Sequence, residues 1–238
     1  MKNPVIHPAN QSANGAVMAP NVLRRHNALR RHLVAGGVGL LLAPRVWAAP
    51  QPALPLTPPQ SEGPFYPQGS FFSARSDVDA DLLTVAGSSE ASRGTPLQLS
   101  GRILDAQGMP LQGVTVEIWQ CDARGQYAYD ISSIHRTEKG FQGFGRTMTD
   151  AQGRYNFRTI RPVPYGGRPP HIHFKVAAGE GRARKELLTT QMYVRGEIYA
   201  NDFVFRATRN EAARERLIAD LRAQGNALTA QWDVVVAA

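Results

Sequence analysis

"LQLSGRILDAQGMPLQGVTVEIWQC", residues 97–121, decides the fold class. From Leu97 to Leu104 apolar and polar residues alternate, the period of two that sorts side chains onto the two faces of a strand. "DAQGMP", Asp105 to Pro110, follows as a turn. The alternation returns from Gly113 to Cys121, with Val114, Val116 and Ile118 on one side. The same pattern recurs downstream. "RTMTDAQGRYNFRTI", Arg146–Ile160, predicts a hairpin turning at Asp150 to Gly153. "HIHFKVAA" and "LLTTQMYV" predict two further strands, and "QWDVVV" closes the chain. Short alternating strands separated by Gly, Pro and Asp predict a mainly β chain, an antiparallel sandwich or barrel with long loops. One C-terminal helix is expected. Asn210 would cap it, Leu217, Ile218 and Leu221 would form its apolar stripe, and Gly225 would stop it. No repeat and no coiled coil stands out.

The first 48 residues read differently. "LRRHNALRRHLVAGGVGLLLAPRVWAAP" has a basic opening, an apolar run from Leu33 to Leu42 and a small-residue end at Ala48 and Ala49. That is the layout of an export signal. The apolar run is about half of the ~20 residues a membrane-spanning helix needs, so no stable anchor is expected. The pairs Arg24-Arg25 and Arg30-Arg31 suggest the twin-arginine type, and translation starting at Met18 is an alternative to Met1. The expected product is periplasmic or secreted.

Removing residues 1–48 takes Lys2, Arg24, Arg25, Arg30, Arg31 and Arg45 and no acidic residue. The 27 basic residues become 21 against 19 acidic ones, so the +8 of the full chain becomes +2. No basic stripe for nucleic acid is implied. Cys121 is the one cysteine, so an intrachain disulfide is excluded. About 190 remaining residues suffice for one core and one domain. Residues 49–95 begin with "APQPALPLTPPQSEGPFYP", too proline-rich for regular helix or central strand. They predict an extended arm and lead-in, anchored by Phe65, Tyr66, Phe71 and Phe72. The catalytic sandwich would be residues 96–238.

Residues i and i+2 of a strand share a face, so His171 and His173 project together, about 7 Å apart at the backbone, while Ile172 points into the core. Two histidines on one face, with no acidic neighbour, favour a metal over a structural role. Tyr165 stands before the bend "GGRPP", and Tyr127 follows a strand. Either tyrosine alone reads more simply as a hydrogen-bonded sheet-rim residue. His135, in a polar loop, is read as a non-ligand, and Trp119 and Cys121 as part of the core or its edge.

Taken in order, "VEIWQCDARGQY", "FQGFGRTMTDAQGRYNFRTIRPVPY", "RPPHIHFKV" and "LTTQMYV" resemble the intradiol ring-cleavage dioxygenases. The resemblance runs from "GPFY" near Tyr66 to about Phe205. It implies the antiparallel β-sandwich of that family and one ferric ion per chain. Tyr127 and Tyr165 match its two tyrosinate ligands, His171 and His173 its two histidines. Tyr127 and His171 would be equatorial, Tyr165 and His173 axial. Arg168 and Gln191 match residues that lie beside the substrate. The implied reaction binds a catechol-type dianion with displacement of Tyr165, then uses O2 to cut the ring between its hydroxylated carbons, giving a muconate-type dicarboxylic acid.

The donor chemistry is consistent with this on its own terms. A phenol ordinarily titrates near pH ~10 and binds metal as phenolate only when a cation removes the proton. Two hard anionic oxygens with two imidazoles favour ferric iron, whereas a thiolate set would suit zinc or cuprous copper. "YGGRPPH" is shorter than the matching segment of the better-known members, which leaves the substrate open among protocatechuate, catechol, a hydroxylated quinol and a larger aryl compound. Having all four ligands, the chain would work alone or as a homo-oligomer. Two other readings compete. "GRILDAQGMPLQGVTVEIW" also resembles a secreted, non-catalytic transthyretin-like binding module. The His-x-His pair alone would also fit a periplasmic copper or zinc binder.

Overall fold

The computed structural model describes residues 52–67, 69, 78–128, 137–179 and 183–238. Two five-stranded sheets pack face to face. In the first, β1 (Pro96–Asp105) is central. It pairs antiparallel with β4 (Arg154–Ile160) and parallel with β9 (Ala227–Gln231) and β10 (Val234–Val236), and β8 (Arg222–Gln224) pairs with β9. The second runs β3 (Phe144–Met148), β2 (Thr115–Trp119), β5 (His171–Ala178), β6 (Lys185–Val194) and β7 (Ile218–Ala219). The core between them takes Leu97, Leu99, Ile103, Tyr155 and Phe157 from one sheet and Val116, Ile118, Ile172, Phe174, Val176 and Met192 from the other. These are the inward residues of the alternation, so the mainly β sandwich follows from its period.

Three expectations need correction. The turn at Asp150 to Gly153 forms, with Gly153 N–H donating to Asp150 O at 2.9 Å. It makes no hairpin, because β3 pairs with β2 while β4 pairs with β1 in the other sheet. Gly153 has φ +69°, and a Cβ there would stand 2.7 Å from Ile103 O, so the crossing of the chain between sheets needs glycine. The sheets are not purely antiparallel, since β9 and β10 run parallel to β1 and β7 parallel to β6.

The third correction concerns the C-terminal helix. Two short helices stand there, α1 (Phe203–Ala207) and α2 (Glu211–Glu215). Asn210 does cap α2, accepting from Ala213 N–H at 3.0 Å. The apolar stripe is not helical: Leu217 is buried beside Tyr193 and Phe205, and Ile218 opens β7. The edge of β6 wins this segment, because its amides need acceptors. Tyr193 N–H donates to Leu217 O at 2.7 Å and Arg195 N–H to Ala219 O at 3.0 Å. Gly225, at φ +58°, lies between the paired strands β8 and β9 rather than ending a helix.

β5 is buried on both faces, which positions the site. Ile172, Phe174 and Val176 enter the core; His171, His173 and Lys175 project from the outer face and are buried too. Phe174 packs between Tyr155 at 5.9 Å and Trp232 at 4.8 Å. Phe174→Ala is expected to cost about 3–5 kcal/mol in denaturant unfolding, as a large void opens where the two sheets meet. Among the described residues no helix is long and apolar enough to cross a membrane.

Candidate metal centre

The outer face of the second sheet carries a lattice set by strand register. His173 lies between Trp119 and Gln191, Lys175 between Glu117 and Thr189, and His171 opposite Tyr193. The proline-rich arm crosses this face. Gln60 N–H donates to Thr189 O at 2.9 Å, Thr190 Oγ1 donates to Pro58 O at 2.7 Å, and Gln191 Nε2 donates to Ser61 O at 2.9 Å. Glu62 pairs with Lys175, whose Nζ sits 3.8 Å from the Tyr66 ring centre. The Tyr66 hydroxyl donates to Glu117 at 2.8 Å, and Arg146 pairs with the same buried carboxylate at 2.8 Å. Burial and that carboxylate hold the Tyr66 phenol well above its ordinary range. Phe71, Phe72 and His135 lie outside the described residues.

Two turns deliver the tyrosines. After β2, Asp122 accepts from the amides of Arg124 and Gln126, each at 2.9 Å, and the chain folds back to bury Tyr127. Tyr165 and Arg168 bracket a tight turn, each accepting from the other's amide, at 3.2 and 2.8 Å. Gly166 and Gly167 fill it at φ +55° and +80°, which side-chain-bearing residues rarely adopt. The glycine pair therefore aims Tyr165 and Arg168.

The four rings converge. The two histidine centroids are 4.9 Å apart, Tyr127 and Tyr165 5.2 Å apart, and Tyr127 and His173 6.4 Å apart. Phe65 of the arm stacks on Tyr127 at 4.5 Å and meets Tyr165 edge-on at 5.3 Å. Trp119 stacks on His173 at 4.8 Å. Gly63 passes over His173, where an added Cβ would lie 3.5 Å from Cε1.

Protonation states follow from the surroundings. Arg168 Nη1 lies 3.1 Å from His171 Nε2, and a guanidinium only donates, so Nε2 carries the lone pair and Nδ1–H donates to Pro169 O at 2.7 Å. Burial, then Arg168, lowers the His171 pKa to about 4, and burial holds His173 well below the ordinary value. His173 Nδ1 is buried without a hydrogen-bond partner. Burial, then Cys121 and Tyr165, pushes the Tyr127 phenol up, partly offset by Arg168. Both imidazoles are thus neutral at pH 7, and a phenolate here needs a nearby cation. Among the described residues no group of three or more His, Cys, Asp or Glu can hold a metal. A metal on this face would have to take tyrosine oxygens, and the set fits a hard cation.

Beside the rings, Arg168 Nη2 donates to Gln191 Oε1 at 2.7 Å, to the Tyr193 hydroxyl at 3.0 Å and to Asp202 Oδ2 at 2.9 Å. Tyr193 and Asp202 went unnoticed in the sequence. Asp202 carried one local signal, a capping residue before "FVF". Tyr193 carried a register signal, two positions beyond Gln191 on the same face.

Comparison with known proteins places this arrangement. The family model described as Dioxygenase (Dioxygenase_C) matches residues 67–238. The protocatechuate 3,4-dioxygenase beta chain of Burkholderia cepacia is 38% identical over 172 residues, covering 67% of this chain and 72% of the relative. A catechol 1,2-dioxygenase of Acinetobacter baylyi is 33% identical over 186 residues, covering 69% of this chain and 53% of the relative, so the chain spans about half of that protein. Among solved structures, the dioxygenase domain of a carbohydrate-binding fusion from Streptomyces sp. SirexAA-E superimposes with a TM-score of 0.54 at 30% identity, covering 77% of this chain and 99% of that one. Catechol 1,2-dioxygenase from Pseudomonas arvilla C-1 gives 0.53 at 27%, covering 76% and 62%. With a matched family model across most of its length and the sandwich that model implies, the chain belongs to the intradiol ring-cleavage dioxygenases.

Proposed function

We propose that this chain is a non-haem ferric enzyme that opens a catechol-type ring between its two hydroxylated carbons, with O2 as oxidant and a muconate-type dicarboxylic acid as product. The family uses non-haem iron. The finer claim, one ferric ion per chain on Tyr127, Tyr165, His171 and His173, rests on the convergence of these four rings on the outer face. When bound, the ion supplies a Lewis acid that draws electron density from the catecholate ring.

The side chains divide the remaining work. Tyr165 is the more exposed of the two phenols, so it suits the ligand that yields to substrate and keeps one substrate proton on its oxygen. Tyr127 is buried and suits the permanent ligand. Arg168 Nη1 meets the His171 Nε2 lone pair that a bound ion would take; with that nitrogen on the ion, Nη1 would turn to the substrate and stabilise negative charge building there, as an oxyanion hole does. Gln191 has Oε1 on Arg168 and Nε2 on the arm, so its first task is to hold Arg168 beneath the arm, which roofs the face. Phe65 and Trp119 stack on ligand rings and keep water from them.

The relatives are named for protocatechuate, catechol and hydroxyquinols, which supports a catechol-type ring as the substrate class and leaves its member open. Residues 1–48 remain an export signal in this proposal, with residues 49–95 as arm and lead-in and a periplasmic or secreted product. The described ligand set sits in one chain, consistent with a monomer or homo-oligomer. The transthyretin-like module accounts for the strands but not for four converging rings. The decisive test is a visible spectrum with iron analysis on purified protein. A burgundy protein with about one ferric ion per chain, taking up O2 with a catechol, is expected, because tyrosinate-to-iron charge transfer absorbs visible light. Protein that stays colourless and inactive after anaerobic iron loading and re-oxidation would overturn the proposal.

A further inference from the structure

We infer that Asp202 is the positioning residue that fixes the reach of Arg168, an inference that rests on the proposed reaction. The Asp202 side chain is fully buried and that of Arg168 is 16% exposed. The two oxygens have different partners. Oδ1 caps α1, accepting from Val204 N–H at 2.9 Å and Phe205 N–H at 3.4 Å, and lies 3.4 Å from Arg168 Nε. Oδ2 accepts from Arg168 Nη2 at 2.9 Å. With Nε and Nη2 held by this carboxylate, and Nη2 also by Gln191 and Tyr193, Nη1 is the arm of the fork aimed at His171.

An arginine opposite a developing charge contributes most when its orientation is set beforehand. Arg168 leaves a tight glycine turn and has a long, flexible stem, so its orientation has to come from its partners. Gln191 and Tyr193 offer neutral acceptors. Asp202 is the carboxylate that meets the guanidinium, the stronger kind of hydrogen bond. It also ties Arg168 to α1, whose first turn it caps, and so to the loop after β6.

The chemistry of the two oxygens provides the test. Asp202→Asn keeps the capping oxygen but presents an NH2 to Nη2, donor against donor. The full chain would be loaded with iron and assayed below its melting temperature. For Asp202→Asn, kcat is expected to fall about 10–100-fold, less than the roughly 10²–10³ that losing a charge-stabilising donor outright costs, with smaller change in KM. Iron content and the charge-transfer band should stay as in the parent. Asp202→Glu, which keeps the carboxylate, should recover part of kcat.

A double-variant cycle with Arg168→Gln supplies the second readout. If Asp202 acts through Arg168, Asp202→Asn adds nothing to the kcat loss of Arg168→Gln. Melting temperatures of the metal-free chains should be non-additive in the same way. An unchanged kcat in Asp202→Asn, or losses that multiply in the double variant, would overturn the inference while leaving the reaction intact. Loss of iron from Asp202→Asn would also overturn it, assigning Asp202 to the metal's support. A parent protein without colour or ring cleavage would instead sink the proposed reaction, and this inference with it.

Discussion

Tyr127→Phe is expected to leave a folded protein that no longer holds ferric iron as the parent does. The substitution removes one oxygen and keeps the ring, so the parallel stacking on Phe65 at 4.5 Å survives. Losing an outer partner of a metal ligand typically costs 10–100-fold in affinity or activity, so losing a ligand should cost more than about a hundredfold. The charge-transfer band should weaken and shift, because one tyrosinate remains. Denaturant unfolding of the metal-free variant should differ from the parent by about 1 kcal/mol or less, since packing is conserved. A Tyr127→Phe protein that stays fully coloured and active would remove Tyr127 from the ligand set and leave it a rim tyrosine.

Arg168→Ala should damage two properties at once. Removing a donor that faces developing charge typically costs about 10²–10³ in kcat. The same change leaves Asp202, fully buried, without its cation, with the α1 amides and the neutral Tyr193 hydroxyl as its partners. Leaving one member of a buried ion pair alone costs about 3–5 kcal/mol, so the metal-free chain should unfold at clearly lower denaturant. Lysine should rescue poorly. A single ammonium cannot reach Gln191, Tyr193, Asp202 and His171 from one position as the planar fork does. If kcat is unchanged while stability falls, Arg168 belongs to the scaffold rather than to the chemistry.

How much of this was legible in the chain depended on whether the signal was local. Alternation gave the strands, and the spacing of His171 and His173 placed both rings on the face away from Ile172. Pairing was less legible. The turn at Asp150 to Gly153 looks the same whether its strands join one sheet or two, and only β1 and β2 as partners decide between them. The segment from Leu217 to Leu221 carries spacing that a helix and an edge strand can both use. The unmet amides of β6, more than twenty residues upstream, settled it. Asp202 was out of reach for a similar reason, because its partner Arg168 is 34 positions away and nothing nearby marks it as buried. The converging tyrosines became readable as a set only through the family resemblance; singly, each reads as an ordinary rim residue.

The arm carries a consequence for the order in which the molecule is completed. Its bonds from Thr57, Gln60, Ser61 and Glu62 reach across 178, 133, 130 and 113 positions of sequence. The four rings themselves come from a stretch of fewer than fifty residues. Closing the longer loops costs little extra at equilibrium, about 0.6 kcal/mol for each doubling, but distant contacts are slow to form. The ring cluster should therefore assemble with the second sheet, and the roof should settle afterwards. Because the arm is extended and bound along one sheet surface, by hydrogen bonds, the Glu62–Lys175 pair and the Phe65 and Tyr66 rings, it should open at lower cost than the sandwich between the sheets, with its amides exchanging faster than those of β5. Each such opening would bring the four rings into contact with dissolved ions, giving a fully folded chain a means of taking up the iron proposed above.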